Sequence, residues 1–222
     1  MPPATTYPDQ DALKRMGATV RRRLEADPGI YRVPTDQAEI FAVGDFFSSA
    51  ECERLMAMID AVARPSQLHD TAYVSKFRTS YSGNFDARDP FVLSVSRRID
   101  DLLGIAPECG ETIQGQRYLP GQEFKPHCDW FHPDQPYWPR ERERGGQRSW
   151  TAMAFLNSVE EGGQTHFTSL GASIEPKPGV LLLWNNANPD GTPNHDTIHA
   201  GTPVIKGVKY VLTRWYRTRS FR

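Results

Sequence analysis

The stretch "HCDWFHPD", residues 127–134, holds two overlapping His-x-Asp triplets, His127-Cys128-Asp129 and His132-Pro133-Asp134. In an extended strand residues i and i+2 face the same way. Either triplet could then present an imidazole and a carboxylate to one metal ion. A further histidine is available downstream in "NHDTIHAGTPV", where His195 and His199 are the candidates. Two histidines and one carboxylate leave coordination positions open, and such a face can take a co-substrate and dioxygen together, as at a non-haem Fe(II) centre. A lone His-x-Asp is weak evidence for this, because surface His and Asp are common.

The flanking residues choose among the candidates. His132 opens a proline-rich loop and Pro133 cannot donate to a strand ladder, so His127 and Asp129 are the better pair. Cys128 between them would point to the opposite strand face and reads as packing. His127 follows "QRYLPGQEFKP", a strand–turn–strand pattern that brings Tyr118 back toward the same cavity. His199 precedes "AGTPVIKG", a turn leading into "VKYVLTRWYR", whereas His195 sits among turn residues and reads as a loop histidine. On that last strand Lys209, Val211, Thr213 and Trp215 share one face, and Tyr210, Leu212, Arg214 and Tyr216 share the other. A lysine facing inward with Val, Thr and Trp is costly to bury unpaired. It makes sense with an anionic ligand against it. Lys206, in the turn, reads as a surface charge.

The elements that must position these residues fit one domain with embellishments in a chain of 222 residues. A formal net charge of −1 argues against a general nucleic-acid binder. Three cysteines without a CxxC pair argue against a disulfide framework or a zinc knuckle. Residues 1–39 read as an N-terminal helical extension and 40–222 as the main domain, with helical support over 40–110 and a strand-rich core over 111–217. "DQDALKRMGATVRRRLEA", residues 9–26, reads as an exposed, mostly polar helix with Asp9 as cap and its arginines on a solvated face. A second helix can be capped by Ser48 or Ser49, with Leu55, Met58, Ile59 and Val62 as its apolar stripe. A third, "DPFVLSVSRRIDDLLG", closes at Gly104.

From residue 111 onward, short strands punctuated by turns predict a mostly β sandwich or barrel with flanking helices, as 18 prolines and 17 glycines also suggest. The "RERERGG" run reads as solvated loop. No basic stretch followed by an apolar segment opens the chain, and no run is long enough to span a bilayer. The expectation is a cytoplasmic protein with neither membrane nor nucleic-acid partner, and oligomeric state is not legible.

The ordered run Tyr118, "GQEFKPHCD", "RSWTAMAFLN", "EEGGQTHF", "EPKPGVLLLWNN" and "HAGTPVIKGVKYVLTRWY" resembles the prolyl 4-hydroxylase branch of the 2-oxoglutarate- and Fe(II)-dependent dioxygenases, over roughly residues 40–217. The resemblance implies a double-stranded β-helix core, a jelly roll of cupin-like form. It implies Fe(II) on His127, Asp129 and His199. It also implies that Lys209, ten residues after His199, and Tyr118, nine before His127, hold the far carboxylate of 2-oxoglutarate. Thr165 and Trp215 are candidate walls of that pocket, with ordinary interior packing as the competing account. "RTSYSGNF" resembles the family's loop over the peptide and makes Arg78 and Ser80 candidate substrate contacts. Trp130 and Arg148, beside the metal pair and after the long loop, are further candidates, with packing and a structural role as the competing readings. Tyr210 departs from the Trp often found after the lysine, and "GGQT" from the usual GGET. A secretory signal and a separate peptide-binding domain, as in the animal collagen-modifying enzymes, are not seen, so the expectation leaves collagen aside.

The implied reaction hydroxylates an unactivated C–H bond, at C4 of a prolyl residue in a peptide or protein. It consumes 2-oxoglutarate and O2, releases succinate and CO2, and uses no catalytic side chain beyond the metal centre. Ascorbate is implied as a reductant of over-oxidised iron. The alternatives are the same chemistry on a free amino acid or small metabolite, or a metal-binding jelly-roll module without turnover. Loops 71–86 and 130–147, ringed with Tyr and Trp, suit an extended peptide somewhat better.

Overall fold

A computed structural model of the chain describes residues 7–66 and 77–221. Its helices are α1 (Gln10–Glu25), α2 (Ser49–Val62), α3 (Pro90–Leu103) and α4 (Trp138–Glu143). The first seven strands are β1 (Ile30–Arg32), β2 (Ile40–Val43), β3 (Arg64–Pro65), β4 (Tyr81–Asn84), β5 (Gln114–Tyr118), β6 (Phe124–His127) and β7 (Arg148–Phe155). The remainder are β8 (Glu161–Gly162), β9 (Thr165–Phe167), β10 (Ala172–Ile174), β11 (Leu181–Asn185), β12 (His199–Gly201), β13 (Val204–Lys206) and β14 (Lys209–Arg217).

Two helices start and stop where their sequences dictate. Ser48 Oγ accepts from the Glu51 amide while the Glu51 carboxylate accepts from the Ser48 amide, a reciprocal capping box for α2. Pro90 opens α3, Asp89 accepts from the Phe91 and Val92 amides, and Gly104 ends it in the left-handed region at φ 66°. The α1 helix departs from expectation. Asp9 sits at φ 61° and makes no side-chain cap. Its carboxylate instead accepts from the Gln147 amide, Thr218 Oγ1 and Arg219 Nη1. Nor is the helix a solvated rod. Leu13, Gly17, Val20 and Leu24 are buried at helical spacing, Arg21 pairs with Glu39, and Arg23 donates to the carbonyls of Asp101 and Leu102. Charged neighbours mask that narrow apolar stripe in the sequence.

An eight-stranded sheet runs β1-β2-β11-β7-β14-β5-β4-β3, and a four-stranded sheet runs β10-β9-β12-β6. All pairings within them are antiparallel. One apolar cluster joins residues of α1, α2 and α3 (Val20, Leu55, Ile99) to Trp150, Leu183 and Leu212 of the larger sheet. A second joins Phe167 of the smaller sheet to Phe155, Trp184 and Val211 of the larger. This two-layer arrangement is the expected double-stranded β-helix, with helices on one outer face. Among the described residues no helix is long and apolar enough to cross a membrane.

The "RERERGG" run is not solvated loop. It falls largely in α4, where Glu141 is 2 % exposed and pairs with Arg217 of β14. Arg217 Nε also reaches Glu111 Oε1 at 2.5 Å, and Arg148 forks onto the same carboxylate at 2.6 and 2.8 Å. Two arginines and two glutamates thus neutralise one another in a buried network.

Candidate active site

His127 ends β6, His199 begins β12, and the two are direct cross-strand partners with ring centroids 4.3 Å apart. Asp129 lies two residues past the end of β6, in a bend, so the extended-strand premise for the triplet does not hold at its carboxylate end. The chain nevertheless brings all three together. One ligand atom from each lies within 4.8 Å of the others, the one such group among the described residues. His132 and Asp134 are not part of it, and His195 falls in a short 3-10 turn, His195–Thr197.

Each of the three side chains is oriented by a neighbour. His127 Nδ1 bonds the Lys125 carbonyl at 2.9 Å and His199 Nδ1 bonds the Thr197 carbonyl at 3.0 Å. A carbonyl only accepts, so both Nδ1 atoms carry the proton and both Nε2 lone pairs are left for a metal. Asp129 Oδ2 accepts from Thr151 Oγ1 at 2.7 Å, and Thr151 accepts from Asn186 Nδ2 at 3.0 Å. Phe124 stacks on His127 at 3.6 Å, and Trp184 meets the His199 ring edge-on at 4.8 Å. Burial, and the proximity of His199, push His127 down to about 3. Burial opposes ionisation of Asp129, but His199, His127, Arg148 and the Thr151 bond hold its carboxyl below the ordinary value. At neutral pH the trio offers a neutral imidazole at His127 and an ionised carboxylate at Asp129, the forms a metal requires.

Lys209, Tyr118, Thr165 and Trp215 line an inner cavity whose wall also includes His127, Asp129 and His199. The face reading of β14 holds, since Lys209, Val211, Thr213 and Trp215 all line this cavity. Lys209 pairs with Tyr118 across β14 and β5, and its Nζ lies 5.5 and 5.6 Å from the Tyr118 and Phe155 ring centroids. It is 2 % exposed with no ion pair among the described residues, and burial pushes it down to about 7. Trp215 Nε1 is a buried donor without a hydrogen-bond partner. An unpaired buried cation, a phenol and an orphaned N–H beside a His/His/Asp set suit a dianion that also contacts the metal. The residues fit Fe(II) and 2-oxoglutarate.

An outer cleft of about 320 Å³ opens beside His127 and Asp129. Arg78, Trp130 and Arg148 line it, and Ser80 does not. Arg78 lies 4.7 Å over the Phe124 ring, with Ser80 Oγ, Gln114 and Tyr118 as neutral partners. Ser80 is buried and bonds Ser66, so it reaches the cleft through Arg78. Arg148 is held by Glu111 and lies 4.1 Å over the Trp215 ring, which gives it a structural partner on the cleft wall. Trp130 packs with Leu13 and meets Tyr7 edge-on. Cys128, expected only to pack, also lines this cleft, with Sγ 3.5 Å from His132 Nε2. Part of the loop expected over the substrate, residues 71–76, lies outside the described residues.

Sequence reasoning missed Thr151, Asn186 and Gln116. Thr151 and Gln116 lacked the charge that marked Lys209, and only strand alternation pointed to them. Thr151 shares a strand face with Met153, and Gln116 with Tyr118, and both faces turn into the cavity. Asn186 follows β11 directly, and its role shows only once β7 lies beside it.

Comparison with known proteins places this geometry. Residues 113–217 match the 2OG-Fe(II) oxygenase superfamily. The chain is 31 % identical over 206 residues to a protein described as probable prolyl 4-hydroxylase 8 of Arabidopsis thaliana, covering 82 % of this chain and 69 % of that one. Among solved structures, a viral collagen prolyl hydroxylase from Paramecium Bursaria Chlorella virus-1, in its 2OG complex, superposes with a TM-score of 0.62 at 26 % identity. That match covers 79 % of this chain and 94 % of the other. A Trichoplax adhaerens prolyl hydroxylase, in complex with a hypoxia inducible factor peptide fragment, shares the fold with a TM-score of 0.61 at 17 % identity, covering 95 % and 96 % of the two chains.

Proposed function

The chain belongs to the prolyl 4-hydroxylase-like branch of the 2OG-Fe(II) oxygenases, and from that membership we propose that it hydroxylates a prolyl residue, at C4, in a peptide or protein. The observation that carries the substrate class is the outer cleft. It is open, about 320 Å³, and walled by Trp130, Phe131, Arg78 and Arg148 beside His127 and Asp129. A small metabolite favours enclosure, whereas an extended chain needs an open channel with side chains along it. The Arabidopsis, viral and Trichoplax relatives, by their descriptions, support the prolyl target.

Nε2 of His127 and of His199, with a carboxylate oxygen of Asp129, would hold Fe(II). When bound, the metal with 2-oxoglutarate supplies dioxygen activation, coupled to decarboxylation of the co-substrate to succinate and CO2. The chain's own residues bind, orient and exclude water. The Lys209 ammonium attracts the far carboxylate, and Tyr118 Oη donates to it. Thr151 fixes the Asp129 carboxylate, leaving one oxygen toward the metal. Phe124 and Trp184 flank the two imidazoles and keep water from the ligand side of the cavity.

The test is succinate release, with peptide mass, from protein supplied with Fe(II), 2-oxoglutarate and O2 and offered free proline or proline-containing peptides. One added oxygen on a peptidyl proline is the expected result. Modification of free proline alone would overturn the peptide assignment, and succinate without either product would move the target elsewhere. Ascorbate, added in parallel, is expected to sustain turnover.

A further inference from the structure

Gln116, in the middle of β5, faces the inner cavity and is buried. Its amide is fully committed. Oε1 accepts from Tyr118 Oη at 3.0 Å, and Nε2 donates to Thr213 Oγ1 at 3.0 Å and to Gln114 Oε1 at 3.4 Å. Gln114 Oε1 also accepts from Arg78 Nη2 at 3.2 Å.

The direction of these bonds is forced. A guanidinium has donors and no acceptor, so Gln114 must turn its oxygen to Arg78. Gln116 must then turn its NH2 to that oxygen, and its remaining carbonyl faces Tyr118. Arg78 also lies beside Tyr118, and a guanidinium offers the phenol oxygen donors only. The phenol has one proton, and Gln116 holds it.

A carboxylate arriving at Lys209 asks for the same proton. We propose that Gln116 is a positioning residue that competes with the co-substrate for the Tyr118 proton and thereby limits co-substrate affinity. This rests on the assignment of Lys209 and Tyr118 as the 2-oxoglutarate anchor. Binding exchanges the Tyr118–Gln116 bond for a Tyr118–carboxylate bond and leaves the Gln116 carbonyl buried without its donor, a cost borne by the complex.

The experiment is calorimetric titration of 2-oxoglutarate into the Mn(II)-loaded full chain under argon, where no turnover occurs. Gln116→Leu removes the competing acceptor at similar volume, and the Kd is expected to fall about 3- to 10-fold. Tyr118→Phe should raise the Kd, and in that background Gln116→Leu should give no gain. Gln116→Glu keeps the shape, strengthens the acceptor and adds a like charge, so it should bind more weakly than the native chain. It serves as the second variant if Gln116→Leu fails to fold. An unchanged or raised Kd in folded Gln116→Leu, or native-like binding by Gln116→Glu, overturns the proposal. If Tyr118→Phe still weakens binding in that case, the anchor stands without it. No binding by the native Mn(II) protein would instead remove the co-substrate assignment itself.

Discussion

Lys209 carries a charge that its surroundings do not balance. Burial brings it down to about 7 from an ordinary 10.5, so between those values the unfolded chain holds a proton that the fold does not. Stability of the ligand-free protein should therefore rise with pH across that window, and the buried ammonium opposes folding in full below it. A dicarboxylate beside Lys209 restores the charged form. At pH 8, binding of 2-oxoglutarate is expected to take up part of a proton, seen as a binding heat that changes with the ionisation heat of the buffer. Lys209→Met should abolish that uptake, weaken binding at least about tenfold, and stabilise the ligand-free fold at pH 6 by thermal melting. Thr151 acts through Asp129. Thr151→Val is expected to weaken Mn(II) affinity about 10- to 100-fold, measured by equilibrium binding, with the fold intact. The meeting of His127, Asp129 and His199 beside a buried Lys209 was legible because charged or metal-binding types at fixed spacing stand out against a β-rich background. Thr151 and Gln116 were not, because an uncharged polar residue in a strand announces itself only when the face it occupies is known.

The strand β5 shows how an element serves the site from both faces. Gln116 and Tyr118 face the cavity, while Gly115 faces α2. A Cβ at Gly115 would overlap Ile59 and lie 3.1 Å from Phe85 Cε1. Gly115→Ala is therefore expected to cost about 1–3 kcal/mol in denaturant unfolding and to weaken 2-oxoglutarate binding as the strand is pushed inward. The α2 and α3 helices were readable because their caps and apolar stripes are local. The short α4 was not, since Pro139 and a charge run hide it and its buried Glu141 is explained by Arg217, far along the chain. The place of Asp129 was half legible. The spacing from His127 was right, but a bend rather than strand alternation delivers the carboxylate.

At the scale of the molecule, the outer cleft is held in shape by contacts between distant parts of the chain. Asp9, just before α1, binds the Gln147 amide, Thr218 and Arg219, and so ties the start of the described chain to the segment after α4 and to the tail. Arg148 and Arg217, on the cleft wall, are locked by Glu111 and Glu141. Asp9→Ala should cost about 2 kcal/mol and lower Tm by about 4–8 °C. It should raise KM for a peptide substrate while leaving the 2-oxoglutarate Kd unchanged. The jelly roll itself was legible through the ordered motifs of its core strands. The order β2-β11-β7-β14-β5 was not, because neighbours in that sheet lie far apart in the chain.

The most direct test of the central claim is a single aerobic reaction of the Fe(II)-loaded native chain with 2-oxoglutarate and a proline-containing peptide, with succinate and peptide hydroxylation counted together and His199→Ala run beside it. One succinate per hydroxyl on proline, both lost in the variant, is the expected result. Iron bound to the native chain with no succinate formed across a panel of peptides and free amino acids would contradict it and leave a domain that binds metal without turnover.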